Sequence, residues 1–238
     1  MASSVDAGTG GKPVKLPSGR HGLPRAFVIH NQRERMLVAV AEVVSRKGYA
    51  AMTVRDVIGE AGVSRRTFYE HFHNKEDAFL AAYDHVVDHV LGEVSAAYLR
   101  GESWAEGVGL GIQAFVDYLA KDPAVAHVCI VEVLAAGPRA LARRSSAMER
   151  FRGFIAPGLE QMPATLRAPQ SAPDTVIGGI YEMVYGHVLR GETRRLPELA
   201  PDLLHTAIVP FVGREEAARA SREAALRRGG APDAAVGL

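Results

Sequence analysis

The chain has 238 residues, 47% of them hydrophobic and 23% charged, so it is long enough to bury a sizeable core and has the composition of an ordinary folded protein. No apolar stretch reaches the roughly 20 residues of a membrane-spanning helix and no secretory leader is recognisable, so we expect a cytoplasmic protein with no membrane partner. The single cysteine, Cys129, excludes an internal disulfide.

The net charge of +1 hides an uneven distribution. Residues 1–30 and 31–75 each carry +3, whereas residues 76–238 carry −5. A positive N-terminal third suggests a polyanionic partner for that part of the chain. Aromatic residues are few, at 7%, and alternating β-branched runs are scarce, which predicts an all-α fold.

The chain begins with a segment that cannot bury much apolar surface. Residues 1–29 are rich in Gly, Ser and Pro with scattered cations, and we expect them to form a flexible basic arm. From Asn31 apolar residues recur at spacings of three and four, which predicts an amphipathic helix. Gly48 is suitably placed to end that helix.

Three helix starts follow in close succession. Thr53 and Asp56 form a capping-box pair at the start of a second helix, and Gly62 ends it. Ser64 caps a short third helix. Asn74 caps a fourth, which runs on to about residue 99. The spacing therefore predicts two short helices joined by a glycine turn, and then a long one.

Helical spacing continues through the rest of the chain, and four prolines, Pro123, Pro138, Pro173 and Pro197, occupy positions where a first helical turn accepts proline. The further helices are predicted at 103–120, 123–135, 138–156, 173–190 and 197–213. The Ala- and Arg-rich end is expected to be a frayed helix or disordered. We predict four regions: an arm (1–29), a helix-turn-helix domain (30–76), a larger helical domain (77–213) and a tail (214–238).

Two short helices around a glycine turn, the second with exposed cations, form a helix-turn-helix whose second helix can enter the major groove of DNA. Arg65 and Arg66 leave the first turn of this helix and are long enough to fork onto guanine edges or clamp phosphates. Tyr69 shares the face of Arg65, while Phe68 and Phe72 point the opposite way. One face of the helix thus packs and the other binds.

Other donors surround this helix. Ser64 and Thr67, near its start, can donate to phosphates, and His71 and Lys75 continue the cationic edge. Each cation alone is better explained as an ordinary solvated side chain. The combination of cap, glycine turn, paired arginines and inward phenylalanines predicts DNA binding.

The segment TVRDVIGEAGVSRRTFYEHFHNKEDAF, residues 53–79, resembles the DNA-binding signature of the tetracycline-repressor (TetR) family of bacterial regulators. The resemblance extends over residues 33–79 and is most specific in T-x-Y-x-x-F followed by N-K-E. It implies a three-helix DNA-binding unit and a larger helical C-terminal domain that binds an effector and dimerises. The positions that it implies touch operator DNA are Thr53, Arg55, Ser64, Arg65, Arg66, Thr67, Tyr69, His71 and Lys75. Gly59 departs from the family pattern, where a better helix former is usual.

The helix predicted at 173–190 has two apolar rows and should therefore have two neighbours. The rows are Val176, Ile180, Val184 and Val188, and Ile177, Tyr181, Tyr185 and Leu189. Gly178 and Gly179 would permit close backbone approach, so this helix and the one at 197–213 are predicted to form a four-helix dimer interface. The alternative is a monomeric core.

Polar and aromatic side chains are interspersed among apolar ones in the C-terminal helices, which suits a small, mostly apolar ligand held by few hydrogen bonds. The candidate ligand-binding residues are Trp104, Phe115, Tyr118, His127, Glu132, Tyr181 and Tyr185, with Cys129, Glu182, Met183 and His187 nearby. His85 and His89, four residues apart, could hold a metal, but a solvated or packing face explains them better and no metal is predicted.

No glycine-rich phosphate loop, nucleophile elbow or supported Cys/His pair is recognisable, so we predict neither an enzyme nor a cofactor. The sequence is interpreted as a homodimeric repressor that binds a palindromic DNA operator and is released by a small, mostly apolar effector when the fourth helix moves. The alternative is a DNA-binding regulator without such an effector, controlled by a protein partner or acting as an activator.

Overall fold

The computed structural model describes residues 24–163 and 167–229, and within these ranges every regular element is helical. The predicted all-α fold is therefore confirmed. The chain divides into two compact units between Ala82 and Tyr83. Each unit has its own packing and is described separately below.

The N-terminal unit is built from α1 (Arg25–Ala51), α2 (Val54–Ala61), α3 (Arg65–His71) and the first residues of α4 (Lys75–Tyr98). Its three predicted helix caps are confirmed. Thr53 Oγ1 accepts from the amide of Asp56 at 3.3 Å and the amide of Thr53 donates to Asp56 Oδ2 at 2.8 Å, a complete capping box. Ser64 Oγ accepts from the amide of Thr67, and Asn74 Oδ1 from that of Asp77.

Two glycines with positive φ set the turns of this unit. Gly48, at φ 78° and ψ 158°, interrupts the helical conformation of α1 near its end. Gly62, at φ 60° and ψ 39°, is left-handed and ends α2, so the helix-turn-helix depends on a conformation that a side chain disfavours.

The start of α1 differs from the sequence expectation. Residues 25–29 were predicted to belong to the flexible arm, but α1 begins at Arg25. In this first turn and a half Phe27 and Ile29 remain exposed, at 42% and 43%, so apolar periodicity gave no sign of a helix there. Residues 1–23 of the predicted arm lie outside the described residues.

The C-terminal unit contains the rest of α4 and six further helices. These are α5 (Trp104–Lys121), α6 (Pro123–Ile130), α7 (Pro138–Ile155), α8 (Ala172–Leu189), α9 (Ala200–Val212) and α10 (Arg214–Gly229), with 3₁₀ turns at Glu132–Leu134, Ala156–Leu159 and Thr193–Leu199. One proline was placed wrongly: Pro197 lies inside the third 3₁₀ segment, and Pro201 occupies the first turn of α9 instead.

The segment predicted as a frayed or disordered tail forms α10 up to Gly229, and residues 230–238 lie outside the described residues. Ala217 is fully buried, Ser221 Oγ donates to the carbonyl of Pro201 at 2.9 Å, and Arg227 pairs with Glu106 at 2.5 Å. The Ala- and Arg-rich segment is therefore a helix that packs against the rest of the unit through a few of its residues. It is not a chain end without structure.

The two rows predicted on α8 differ in burial. Val176, Ile180, Val184 and Val188 are all buried in the core of the unit. In the second row Tyr181 and Tyr185 are half-buried, whereas Leu189 is 57% exposed.

In the described part of the chain no single helix is both long and apolar enough to cross a membrane. One pair, Pro123–Leu134 with Pro138–Leu159, meets the length and composition requirement only when joined across a 116° bend.

Candidate nucleic-acid interface and ligand cavity

The helix α3 presents a packed face and an exposed face, as the sequence predicts. Phe68 is fully buried and Phe72 nearly so, with their ring centroids 5.5 Å apart. On the other face Arg65 and Arg66 are exposed, and Tyr69 is 46% exposed. The buried phenylalanines fix the orientation of α3, and they thereby fix the direction of its cationic face.

The two arginines of α3 are held differently. The guanidinium of Arg65 lies 5.6 Å from the ring centroid of Tyr69, which orders it by a cation–π contact. The side chain of Arg66 is 90% exposed and pairs with Glu70 at 3.1 Å, a surface ion pair of small energy. Arg65 is thus better preorganised, whereas Arg66 is freer to move.

The remaining candidates at the helix starts are exposed hydroxyl and guanidinium groups. Thr53 and Arg55 are exposed at the start of α2, and Ser64 is exposed at the start of α3. Thr67 is half-buried, and its hydroxyl lies 2.9 Å from that of Ser64. These groups stand beside the free amides of two helix N-termini, where phosphate oxygens are readily bound.

The turn between α2 and α3 is braced from α1. The guanidinium of Arg35 donates to the carbonyls of Ala61 and Gly62, the latter at 3.2 Å. At the start of α2, Lys47 Nζ lies 2.8 Å from Asp56, and hydrogen bonds from Lys47 and Thr53 hold the pKa of the Asp56 carboxyl well below its usual range. These contacts anchor both ends of α2 to α1.

Two residues that were predicted to contact DNA have contacts within the N-terminal unit that the sequence did not indicate. Lys75 Nζ donates to the carbonyls of Tyr49, Ala50 and Met52 at 3.1–3.2 Å and lies 4.8 Å from the ring centroid of Tyr49. It closes the end of α1, a role that a cation fills well. The sequence could not show this, because the contact joins residues 23 to 26 positions apart.

His71 is half-buried, and burial, followed by the nearby Arg33, lowers the pKa of its imidazole. This shift disfavours the positively charged form of the ring. His71 can act as a hydrogen-bond group at the edge of α3, and its contact with DNA stays a prediction.

The C-terminal unit contains a cavity of about 110 Å³ bordered by α4, α5, α6, α7 and α8. Its walls are almost entirely apolar. The lining residues include Val86, Val87, Val90 and Val94 of α4, Ile112 and Phe115 of α5, Met148 and Phe151 of α7, and Ile177 and Ile180 of α8. Such a lining suits a slender, mostly apolar molecule.

Of the predicted ligand-binding residues, Phe115 and Tyr181 line this cavity, as does Cys129, but Trp104, Tyr118, His127, Glu132 and Tyr185 do not. The indole of Trp104 packs against Phe211 and donates to the carbonyl of Phe154 at 3.0 Å. His127 faces Glu132 instead, with Nδ1 3.9 Å from Oε1. Helical spacing places a residue on a face but does not show which helix covers that face.

The sequence analysis missed Tyr83 and Tyr98 of α4 and Arg144 of α7, which are polar members of the cavity wall. Arg144 lies one turn from Ala140, which is buried, and one turn from Met148, which lines the cavity. The sequence did contain a signal for Arg144, because it is a charged residue within an apolar row of α7.

The polar groups meet at one part of the wall. The Arg144 guanidinium lies 3.9 Å from the ring centroid of Tyr181, and the Tyr181 hydroxyl donates to the carbonyl of Ile130 at 2.5 Å. Burial raises the pKa of Tyr181, although Arg144 opposes this shift, and burial also raises the pKa of Tyr83. Burial raises the pKa of the Cys129 thiol to about 12, so it is a neutral wall group.

The histidine pair on α4 has ring centroids 5.2 Å apart. In the described part of the chain no group of three or more His, Cys, Asp and Glu side chains is placed to hold a metal ion. The neighbouring carboxylates make ion pairs with α7 instead: Asp84 with Arg143 at 3.2 Å and Asp88 with Arg150 at 2.7 Å.

The exposed arginine face of α3 and its braced glycine turn coincide with a family signature. Residues 37–82 match the family model described as bacterial regulatory proteins, tetR family. This N-terminal segment is therefore a DNA-binding domain of the TetR family of transcriptional regulators.

Curated proteins that are similar to this chain are transcriptional regulators. The HTH-type transcriptional activator FasR of Mycolicibacterium smegmatis is 27% identical over 108 residues, 45% of this chain and 49% of FasR. The HTH-type transcriptional regulator EthR of the same organism is 26% identical over 168 residues, 68% of this chain and 72% of EthR. The match to FasR thus spans about half of that protein's length.

Solved structures of TetR regulators share the fold. The fatty acid degradation regulator FadR of Bacillus halodurans superposes with a TM-score of 0.66 at 16% identity, covering 74% of this chain and 97% of FadR. FadR of Bacillus subtilis, solved in complex with stearoyl-CoA, gives a TM-score of 0.65 at 20% identity over the same shares of the two chains. At 16% and 20% identity, this structural similarity shows that the fold is shared and nothing further.

Proposed function

We propose that this TetR-family chain is a homodimeric repressor that binds a palindromic DNA operator through α3 and is released by a small, mostly apolar effector. The observation that carries the DNA part is the exposed pair Arg65 and Arg66 on a helix whose opposite face is anchored by Phe68. A rigid helix with cations on one face can present the same side chains to each half-site.

The contacts divide by chemistry. Arg65, held over Tyr69, is placed to read base edges, because an ordered guanidinium loses little freedom when it forks onto guanine. Arg66 and Arg55 are exposed and suit phosphates, which demand charge more than precise geometry. Ser64, Thr67 and Thr53 would add hydroxyl donors at the helix starts.

The DNA part is tested by selecting sheared genomic fragments with the purified full chain and footprinting the enriched ones. We expect an inverted repeat with half-sites about one helical turn, roughly 34–36 Å, apart. The affinity for that site should fall steeply as the salt concentration rises. The Lys and Arg side chains of the protein release counterions that are condensed on the DNA, and this release is less favourable at high salt. Uniform recovery of fragments would contradict sequence-specific regulation.

The apolar cavity supports the effector part. Its walls would take hydrocarbon, and α4 supplies Val86, Val87, Val90 and Val94 to them while its first turn directly follows α3 in the chain. A ligand that favours a shifted α4 would change the spacing of two recognition helices in a dimer and so lower operator affinity. The fold neighbour FadR of Bacillus subtilis, solved with stearoyl-CoA, supports an apolar effector of this kind.

A second candidate is a DNA-binding regulator without a small-molecule effector, which activates transcription or responds to a protein partner. This second candidate is supported by the similarity to FasR, a transcriptional activator whose match covers 45% of this chain. Thermal shifts with a broad metabolite panel separate the two, because a ligand at a hundred times its dissociation constant adds about 2.7 kcal/mol of stability. A compound that stabilises the protein and weakens operator binding supports the repressor, and a panel in which no compound stabilises the protein supports the second candidate.

The proposed role is one of binding rather than catalysis, in the cytoplasm where the operator is. The proposed dimer forms through α8 and α9, with Gly178 and Gly179 at the contact. An added Cβ at either glycine would meet no atom within 4 Å in the single chain, so this face of α8 is open to a second copy.

A further inference from the structure

The cavity of the C-terminal unit has one charged group in its wall. Among the described residues that line it, Arg144 is the charged one, and no carboxylate accompanies it. The other arginines of this part of α7 pair outside the cavity, Arg143 with Asp84 and Arg150 with Asp88. The cavity therefore contains an uncompensated positive charge beside hydrocarbon.

The placement of Arg144 leaves a hydrogen-bonding group unused. Its Nε is buried and, among the described residues, has no acceptor, while its guanidinium plane contacts the ring of Tyr181 at 3.9 Å. Tyr181 is itself fixed by its hydroxyl on the carbonyl of Ile130. A buried N–H without an acceptor destabilises the empty protein, and an anionic acceptor there would form a strong, charge-assisted bond.

We propose that the cavity binds an amphipathic carboxylate, with its head group on Arg144 and its hydrocarbon chain along the valines of α4. This rests on the proposed function, which makes the cavity the effector site. A single guanidinium balances one negative charge, which favours a carboxylate over a doubly charged phosphate, whose second charge would be buried without a partner. The volume of about 110 Å³ is smaller than the roughly 300–1,000 Å³ of drug-sized sites, which favours a slender chain over a ring system.

The test is calorimetric binding of octanoate and decanoate, compared with octanol and decanol, to the full chain without DNA. The wild-type protein should bind each acid about ten- to a hundredfold more tightly than the alcohol of the same length, as expected for a hydrogen-bonded ion pair. Arg144→Met should bind acid and alcohol equally, and Arg144→Lys, which keeps the charge but loses the fork, should lie between. Arg143→Met, next in the chain but outside the cavity, should keep the wild-type preference.

Two results would overturn the inference: equal affinity of the wild-type protein for acid and alcohol, including no binding of either, or an undiminished acid preference in Arg144→Met. The same ligands are then added to the operator complex. Release of operator by the alcohols alone would leave the proposed function standing without this inference. Binding of the acids through Arg144 with no change in operator affinity would sustain the inference and remove the ligand-responsive part of the proposed function.

Discussion

At the scale of single residues, the neighbours Arg65 and Arg66 should contribute differently to the affinity and specificity of DNA binding. Arg65 is oriented by the ring of Tyr69, whereas Arg66 must leave Glu70 to reach DNA. We predict that Arg65→Ala weakens binding to the selected operator by about 1–3 kcal/mol and relaxes preference at one base pair. Arg66→Ala should weaken binding to all fragments alike and lower the salt slope by about one.

Fluorescence anisotropy with the operator and a shuffled fragment measures both effects. Arg219→Ala in α10 removes the same charge outside the N-terminal unit and should leave both affinities unchanged. If Arg65→Ala keeps the wild-type preference for the operator, α3 does not read its sequence through this residue.

Lys75 is the residue whose role the structure changes. We predict that Lys75→Met lowers the free energy of unfolding of the N-terminal unit by about 1–3 kcal/mol, because it removes three bonds from an ammonium group to carbonyls at the end of α1. Lys47→Met, which removes a surface ion pair with Asp56, should cost less than about 1 kcal/mol.

Hydrogen exchange of the amides of α1 and α4 reports this loss, and anisotropy below the melting temperature reports DNA binding. Lys75→Met should exchange faster than Lys47→Met while keeping the preference for operator over shuffled DNA. If Lys75→Met is as stable as the wild-type protein but loses the preference for operator DNA, Lys75 contacts DNA rather than stabilising the end of α1.

At the scale of elements, two glycines of the helix-turn-helix should respond in opposite directions to the same substitution. Gly59 lies inside α2, where an added Cβ meets nothing within 4 Å, so Gly59→Ala should stabilise the motif by roughly 0.5–1 kcal/mol. Gly62 ends α2 at φ 60°, so Gly62→Ala should destabilise it by about 1 kcal/mol or more.

Hydrogen exchange of α2 and α3 compares the two variants directly, and each controls for the added methyl group of the other. Slower exchange in Gly59→Ala and faster exchange in Gly62→Ala are expected. A change of the same sign in both variants would mean that the turn does not depend on the left-handed residue.

Sequence patterns predicted the elements well because their signals are local. Thr53, Ser64 and Asn74 act on amides within three residues, so each cap could be predicted from neighbouring letters. The cavity wall could not, because it requires knowing which faces of α4, α5, α7 and α8 meet. Trp104 was predicted to contact a ligand but packs on Phe211 instead, and Arg144 lines the cavity although no ligand contact was predicted on its helix.

At the scale of the whole molecule, the proposed dimer makes a testable demand on α8. Gly178 is exposed and an added Cβ there meets no atom within 4 Å, so Gly178→Arg fits the single chain and even improves helix propensity. We predict that it nevertheless gives a monomer, because a bulky cation at a two-fold contact meets its own copy.

Sedimentation equilibrium measures the outcome. Gly153→Arg is the matched control, since Gly153 is likewise exposed and open but lies on α7, and it should remain dimeric. A dimeric Gly178→Arg protein would place the interface away from this face of α8.

The central claim is that this chain reads a DNA sequence with α3. The most direct test is the ratio of its affinities for the selected inverted repeat and for a fragment of the same bases in shuffled order, at one salt concentration. We predict a ratio of about a thousand or more, as for specific regulators. Equal affinities would contradict the account, because the basic surface would then bind DNA only through its charge.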